Sequence, residues 1–238
     1  MVILFTAINK EVLVYQTVCS VLSIYRICGD HSLPRIMVIT NLKNLFSQVI
    51  NKVNHAYLLQ MQIDYVDQNT VDDWLGDQQY CFRLKLKSIE HYFHVCHEDL
   101  LFFDGDTYVL KDFLFYEELL SHRRVIMFQK IRPVQAFTSE LYKYYEGFRR
   151  QKQTDNIVFQ AEVGEYLLTS DLFHYNSGVI GLPYEYANYL SEVLSISDAL
   201  YKKTKAVNSE EYAFSYFFQQ IIRKPDIYSA CREIAHYV

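Results

Sequence analysis

The chain has 238 residues, 50% of them hydrophobic and 21% charged, with a formal net charge of -5. This composition excludes an intrinsically disordered chain and a broad electrostatic attraction to nucleic acid, and the length suits one large α/β domain better than two small ones. Cys19, Cys28, Cys81, Cys96 and Cys231 are odd in number, scattered and free of CxxC spacing, which argues against a disulfide framework or a structural zinc site and for a reducing, cytoplasmic compartment. The opening MVILFTAINKEV lacks the basic n-region and cleavage site of a leader and is too short an apolar run to span a bilayer, so folding is expected from the first residues, with no transmembrane segment.

Val2 to Ala7 reads as a buried strand and Glu11 to about Cys28 as a helix that Asn9 can cap and that Gly29 and Asp30 end. Arg35 to Thr40 is a second strand, and Asn41 can cap a helix carrying Leu42, Leu45, Phe46, Val49 and Ile50 at helical spacing. A third strand is expected near Ile63 to Val66 and a helix over Tyr80 to Phe93, with Leu84, Leu86, Ile89 and Phe93 on its apolar side. After the strand Leu100 to Phe103, a helix is expected over Phe113 to Leu120 and a strand over Val125 to Gln129. An inserted helix and loop should occupy Gln135 to Gln153, followed by a strand over Asn176 to Leu182 and helices over Tyr184 to Tyr201 and Ser209 to Ile222. This alternation predicts an α/β fold with a mainly parallel, doubly wound sheet whose ligand crevice lies beyond the carboxyl ends of the strands.

One such end is the segment DLLFFDGDTYVLKD, where the apolar run Leu100–Phe103 stops at Asp104 and Asp106, separated by Gly105. On extended backbone, residues two apart share a face with Cα atoms roughly 6.5 Å apart, so both carboxylates can reach one divalent cation. The same Asp-Gly pair is also a β-hairpin signal, with the glycine at positive φ. His91, His94 and His97 are evenly spaced in HYFHVCH, but three histidines ahead of a strand read as surface or packing residues rather than ligands.

Two chemistries use an acidic pair at a strand end. FFDGDTYVL superficially matches phosphoaspartyl transferases of the haloacid dehalogenase type, but Tyr108 stands where Thr or Val is needed, and no later GDxxxD-like motif is present. The second match runs through most of the chain. VILFTAIN, YCFRLKLKSIEHY with DLLFFDGDTYVLKD, YNSGVIGL and SEEYAFSYF occur in the order of the first strand, Arg-bearing helix, DxD strand, Asn-Ser/Ala-Gly strand and acidic or Gln-containing helix of a known group. The chain thus resembles GT-A fold nucleotide-sugar glycosyltransferases of the glycogenin and bacterial lipopolysaccharide galactosyltransferase group.

That resemblance implies a single GT-A domain over 1–238, with residues 1–112 as the nucleotide-sugar-binding half and 113–238 as the acceptor-side half. It implies transfer of a sugar from a nucleoside diphosphate, UDP by preference, to a glycan or lipid-linked acceptor, with Mn²⁺ or Mg²⁺ as cofactor and retention favoured. Peripheral association with the inner face of a membrane is compatible with a lipid-linked acceptor. Asp104 and Asp106 would bind the metal. Thr6, Ala7, Asn9, Arg83, Asp104, Asn176 and Ser177 would contact the donor, while Lys85 and Lys87 belong on a solvated helix face. Glu211, at the position of the group's Gln near the reacting sugar, and its neighbour Glu210 are the catalytic candidates, although negative charge at a helix start has an ordinary dipole explanation. The stretch Gln135 to Asp171 is the candidate for acceptor specificity. The group ends in a HxxGxxKPW-like segment whose His completes the metal site, whereas this sequence ends in IAHYV, as if truncated; His236 is either that ligand or an exposed terminal residue. A noncatalytic nucleotide-sugar-binding or interaction module with the same fold is the alternative.

Overall fold

The computed structural model describes residues 1–29, 33–133, 157–162, 164–169, 172–223 and 226–236. Along the chain run β1 (Val2–Ala7), α1 (Glu11–Cys28), β2 (Arg35–Thr40), α2 (Lys43–Val53), β3 (Gln62–Tyr65), α3 (Gln68–Leu75), α4 (Arg83–Val95) and β4 (Leu100–Phe103). They are followed by β5 (Thr107–Val109), α5 (Tyr116–Ser121), β6 (Ile126–Pro133), β7 (Ile157–Ala161), β8 (Gly164–Leu168) and β9 (Phe173–Leu182). A 3-10 segment (Tyr184–Tyr189) leads into α6 (Leu190–Thr204), and α7 (Ser209–Tyr216) continues as a π-turn (Phe217–Ile221) before β10 (Tyr228–Ser229) and β11 (Ile234–His236). The inserted helix and loop expected over Gln135 to Gln153 lie outside the described residues.

Seven strands form the central sheet in the order β10-β6-β9-β4-β1-β2-β3. The neighbours β3, β2, β1 and β4 are parallel, β10 and β6 are parallel, and β9 alone runs against its neighbours β4 and β6. Apolar side chains on opposite faces of β1 feed separate cores. Leu4 packs with Phe102, Ile180 and Phe214, whereas Ile3 and Phe5 pack with Val18, Val21 and Phe103. That two-sided burial is why the parallel strands read as continuous hydrophobic runs. By length and composition α1 could cross a membrane, but Val14, Val18, Val21 and Ile24 are buried against the sheet, as in a core helix.

Two expected caps are instead a clasp. Asn9 adopts a left-handed φ of 63°. Its N–H donates to Asn41 Oδ1 at 2.9 Å, and Asn41 Nδ2 donates to Asn9 Oδ1 at 2.7 Å. The caps fall on Lys10 and Leu42, neither with a side-chain hydrogen bond. The two asparagines thereby tie the carboxyl ends of β1 and β2, bonding each other in preference to the free helix N–H groups.

Asp104-Gly105 is not a hairpin turn either. β4 pairs with β1 and β9, β5 pairs with β11, and Gly105 is not among the residues of positive φ. Its lack of a side chain serves packing: a Cβ there would lie 3.2 Å from Thr17 Oγ1 and 3.5 Å from the Leu13 carbonyl, both on α1. Gly181 is more constrained, because its Cβ would fall 2.6 Å from Ile126 Cβ on β6. Gly181→Ala should therefore cost about 1–3 kcal/mol through overpacking, read as a lower urea midpoint with an unchanged slope.

Candidate active site

The crevice at the carboxyl ends of β1 and β4 collects side chains from four distant parts of the chain. Asp104 follows β4, where its N–H donates to the Gly178 carbonyl of β9 at 2.9 Å and its carbonyl accepts from Thr107 N at 3.1 Å. This tight turn, rather than an extended strand, brings Asp106 back towards Asp104. His236 arrives on β11, whose antiparallel register sets His236 against Thr107. Its Nε2 lies 3.1 Å from Asp106 Oδ1 and 3.5 Å from Asp104 Oδ2, and its side chain is 9% exposed, so it is no surface histidine. The ring also rests on Gly178: a Cβ there would sit 2.6 Å from His236 Nδ1. The glycine of the Asn-Ser-Gly segment is thus what admits the imidazole.

Asp104, Asp106 and His236 each offer one ligand atom, all within 4.8 Å of one another. Two hard carboxylate oxygens and an imidazole nitrogen converging from separate strands suit a divalent cation such as Mn²⁺ or Mg²⁺. The two carboxylates also act on the His236 imidazole itself. Burial pulls its pKa down, but hydrogen bonds to Asp104 and Asp106 and their charges push it up to about 9. Below that value the imidazolium must lose its proton before Nε2 can accept a metal, so binding releases one proton and affinity should rise roughly tenfold per pH unit until His236 is neutral. Mn²⁺ calorimetry in two buffers of different ionisation enthalpy, at neutral and mildly alkaline pH, should read this release. Gly178→Ala should weaken binding by displacing the ring, and His236→Ala should abolish the proton release.

Lys85 occupies the centre of the site and overturns its expected place on a solvated face. Its Nζ is 2.9 Å from Asp104 Oδ2, 2.9 Å from Ser177 Oγ and 3.6 Å from Glu210 Oε1, with the side chain 7% exposed. Burial opposes the charged amine, yet Asp104 and Glu210 outweigh it and hold the pKa above its usual value. Burial likewise works against ionised Asp104, but Lys85 and His236 keep its carboxyl below the usual range. Glu210 feels the reverse balance. Its burial dominates over Lys85, and the nearby Glu211 adds to it, so its carboxyl is pushed up to about 7. Tyr80 donates to Glu210 Oε2 at 2.8 Å, and Ser177 Oγ to Oε1 at 3.2 Å.

Arg83, expected at the donor, turns away from the Lys85 cluster. Two residues on a helix are about 200° apart in azimuth, so when Lys85 points into the site Arg83 points away. It pairs with Asp198 of α6 at 3.0 Å and donates to the Trp74 carbonyl. There it lines a cleft of about 920 Å³ with Gly76, Gln160 and Lys202. Lys87 forms an ion pair with Glu90.

Glu211, in the first turn of α7, is bound by several donors. Asn176 Nδ2 donates to its Oε1 at 2.8 Å and Ser177 N–H to the same oxygen at 3.3 Å, while His174 Nε2 stands 2.7 Å from Oε2. His174 escaped the sequence reading, although it sits two residues before Asn176 on a strand and therefore shares its face. Of the first-strand candidates, Ala7 is fully buried with its carbonyl accepting from Thr40 Oγ1, Asn9 is engaged by Asn41, and the buried Thr6 hydroxyl has no hydrogen-bond partner among the described residues. The three spaced histidines are packing and surface residues: His91 pairs with Asp64 at 2.7 Å, the His97 ring lies tilted against Tyr184, and His94 is exposed.

No protein-family model and no curated protein matches this chain. Among solved structures, the galactosyltransferase LgtC in complex with donor and acceptor sugar analogs is similar with a TM-score of 0.56 at 13% identity, over 100% of this chain and 87% of that one. The chain has a GT-A fold. An LgtC active-site mutant carrying Glu for Gln gives a TM-score of 0.52 at 14% identity over 89% and 69% of the two chains. The apo form of mouse xyloside xylosyltransferase 1 gives 0.50 at 12% over 93% and 82%. In this GT-A domain the acidic pair, His236 and the Lys85–Glu210 pair are contiguous. Removing Lys85 leaves Asp104 and Glu210 without their buried counter-charge. Lys85→Met should therefore lower stability by about 3–5 kcal/mol at about pH 8, and by less at about pH 5.5, where Glu210 is protonated; urea unfolding at both pH values measures the difference.

Proposed function

We propose that this chain is a metal-dependent glycosyltransferase that moves a sugar from a nucleoside diphosphate, UDP by preference, to a glycan or lipid-linked acceptor. The observation that carries the proposal is the convergence of Asp104, Asp106 and His236 at the strand ends of a GT-A fold. The binding-module alternative rested on doubt about His236, and its position beside both aspartates supports the metal-dependent reading over it. In this reading residues 1–112 carry the donor and 113–238 face the acceptor, with the stretch from Gln135 to Asp171 contributing acceptor specificity. The five free cysteines fit a reducing, cytoplasmic setting, at the inner face of a membrane where the acceptor is lipid-linked.

Asp104, Asp106 and His236 would hold Mn²⁺ or Mg²⁺, which when bound supplies positive charge against the diphosphate leaving group. Lys85 fixes the Asp104 carboxylate in position and keeps it ionised. Thr6, whose hydroxyl has no partner among the described residues, and Asn9 at the end of β1 are assigned to the nucleotide, and Asn176 and Ser177 to the donor sugar side. Glu211 replaces the Gln of the resembled group, the same pair of residues as in the LgtC active-site mutant. With both its oxygens accepting from protein donors, Glu211 is poorly placed to take a proton from an acceptor hydroxyl. Its fixed negative charge supports stabilisation of an oxocarbenium-like sugar, and hence retention, over general-base inversion.

A screen of nucleotide sugars with Mn²⁺ or Mg²⁺ should detect metal-dependent release of nucleoside diphosphate. In Asp106→Ala that release should fall on the order of a hundredfold or more, with the circular dichroism spectrum unchanged. Donor binding without turnover across plausible acceptors would return the reading to a binding module, and phosphate trapped on Asp104 would reopen the phosphoaspartyl one.

A further inference from the structure

Among the described residues, Asn176, Ser177 and Asn208 all turn donors towards the Glu211 carboxylate. Oε1 receives Asn176 Nδ2 and the Ser177 N–H, and Asn208 Nδ2 lies 3.5 Å from Oε2. Asn176 is oriented for this role because its own Oδ1 accepts from Gly178 N at 2.9 Å. Position 211 is in the first turn of α7, where backbone N–H groups favour negative charge. An ionised carboxylate, which only accepts hydrogen bonds, satisfies every partner at once.

A glutamine would not. Its NH₂ group would have to face either Asn176 and Ser177, both donors, or the imidazole nitrogen 2.7 Å from the second oxygen. Only His174 can adapt, by moving its proton from Nε2 to Nδ1. Its ring is 4% exposed, lies 4.2 Å from the Tyr212 ring at an interplanar angle of 17°, and has Nδ1 3.3 Å from Tyr212 Oη. Tyr212 can donate to Nδ1 or accept from it, so the stack fixes the ring plane without fixing the tautomer.

We infer that His174 is a positioning residue coupled to Glu211: with its proton on Nε2 it donates to Oε2 and aims the Glu211 carboxylate. The catalytic part of this inference rests on the glycosyltransferase reading; the coupling of the two side chains does not. His174 acts through Glu211 and is not assigned a contact with substrate.

The test begins without activity. In the full chain labelled with ¹⁵N-histidine, the resonances missing from His174→Gln identify residue 174. The wild type should show its proton on Nε2, slow to exchange, and Glu211→Gln should shift it to Nδ1. A wild-type proton on Nδ1, or a tautomer unmoved by Glu211→Gln, would overturn the inference whatever the enzyme turns over. With the donor found by the screen, His174→Leu should lower kcat by about tenfold or more while the donor KM stays unchanged. His174→Gln, whose amide can donate to Oε2 from nearly the same place, should restore most of it. Wild-type kcat in His174→Leu, or equal losses in a folded His174→Gln, would refute the positioning role. Should the wild type transfer no sugar, the functional reading fails and the tautomer measurement still decides the coupling.

Discussion

Much of the crevice is organised around one buried positive charge. Lys85 reaches from α4 to Asp104 at the end of β4, to Ser177 on β9 and to Glu210 on α7. An ammonium this far from water is tolerated only when its partners return what desolvation removes. Those partners belong to both halves of the chain. The same charge keeps Asp104 ionised, although burial alone would favour its neutral form. Glu210, held further away and more deeply enclosed, has its carboxyl pushed well above the usual range by that burial. Two carboxylates near one amine thus acquire different protonation because their distances and burial differ.

Two glycines and a short strand complete what Lys85 begins. Gly105 lets the acidic turn press against α1, and Gly178 leaves room for the His236 ring. The pairing of β11 with β5 then sets His236 opposite Thr107 and so beside Asp106. None of the three metal-ligand candidates is adjacent to all the others in sequence. Asp104 and Asp106 meet through the turn between β4 and β5, and the β5–β11 ladder returns His236 from the far end of the described chain to the same sheet end.

A second cluster, Glu211 with His174, Asn176 and Ser177, shares Ser177 with the Lys85 cluster. The shared residue makes the two groups one polar layer between α4, β9 and α7, with apolar cores around it. Tyr80 and Tyr212 close this layer with ring surface on the core side and hydroxyls on the polar side, a division of labour suited to tyrosine at buried polar sites.

Much of this protein was legible from its sequence alone. The strands Val2–Ala7 and Arg35–Thr40 and the helix Glu11–Cys28 match their hydrophobic periodicity, and Asp104–Asp106 stood out because two charges ended a buried run. Those are local properties, written in spacing. The caps failed because Asn9 and Asn41 found each other across two strands, and Arg83 was preferred to Lys85 because a sequence does not say which of two cations, two positions apart on a helix, turns inward. Only the tertiary structure decided that Lys85 is buried, that His236 belongs to the acidic pair and that His174 holds Glu211. Each depends on contacts between residues far apart in the chain, and the energy of a buried charge is set by the partners that the fold brings to it.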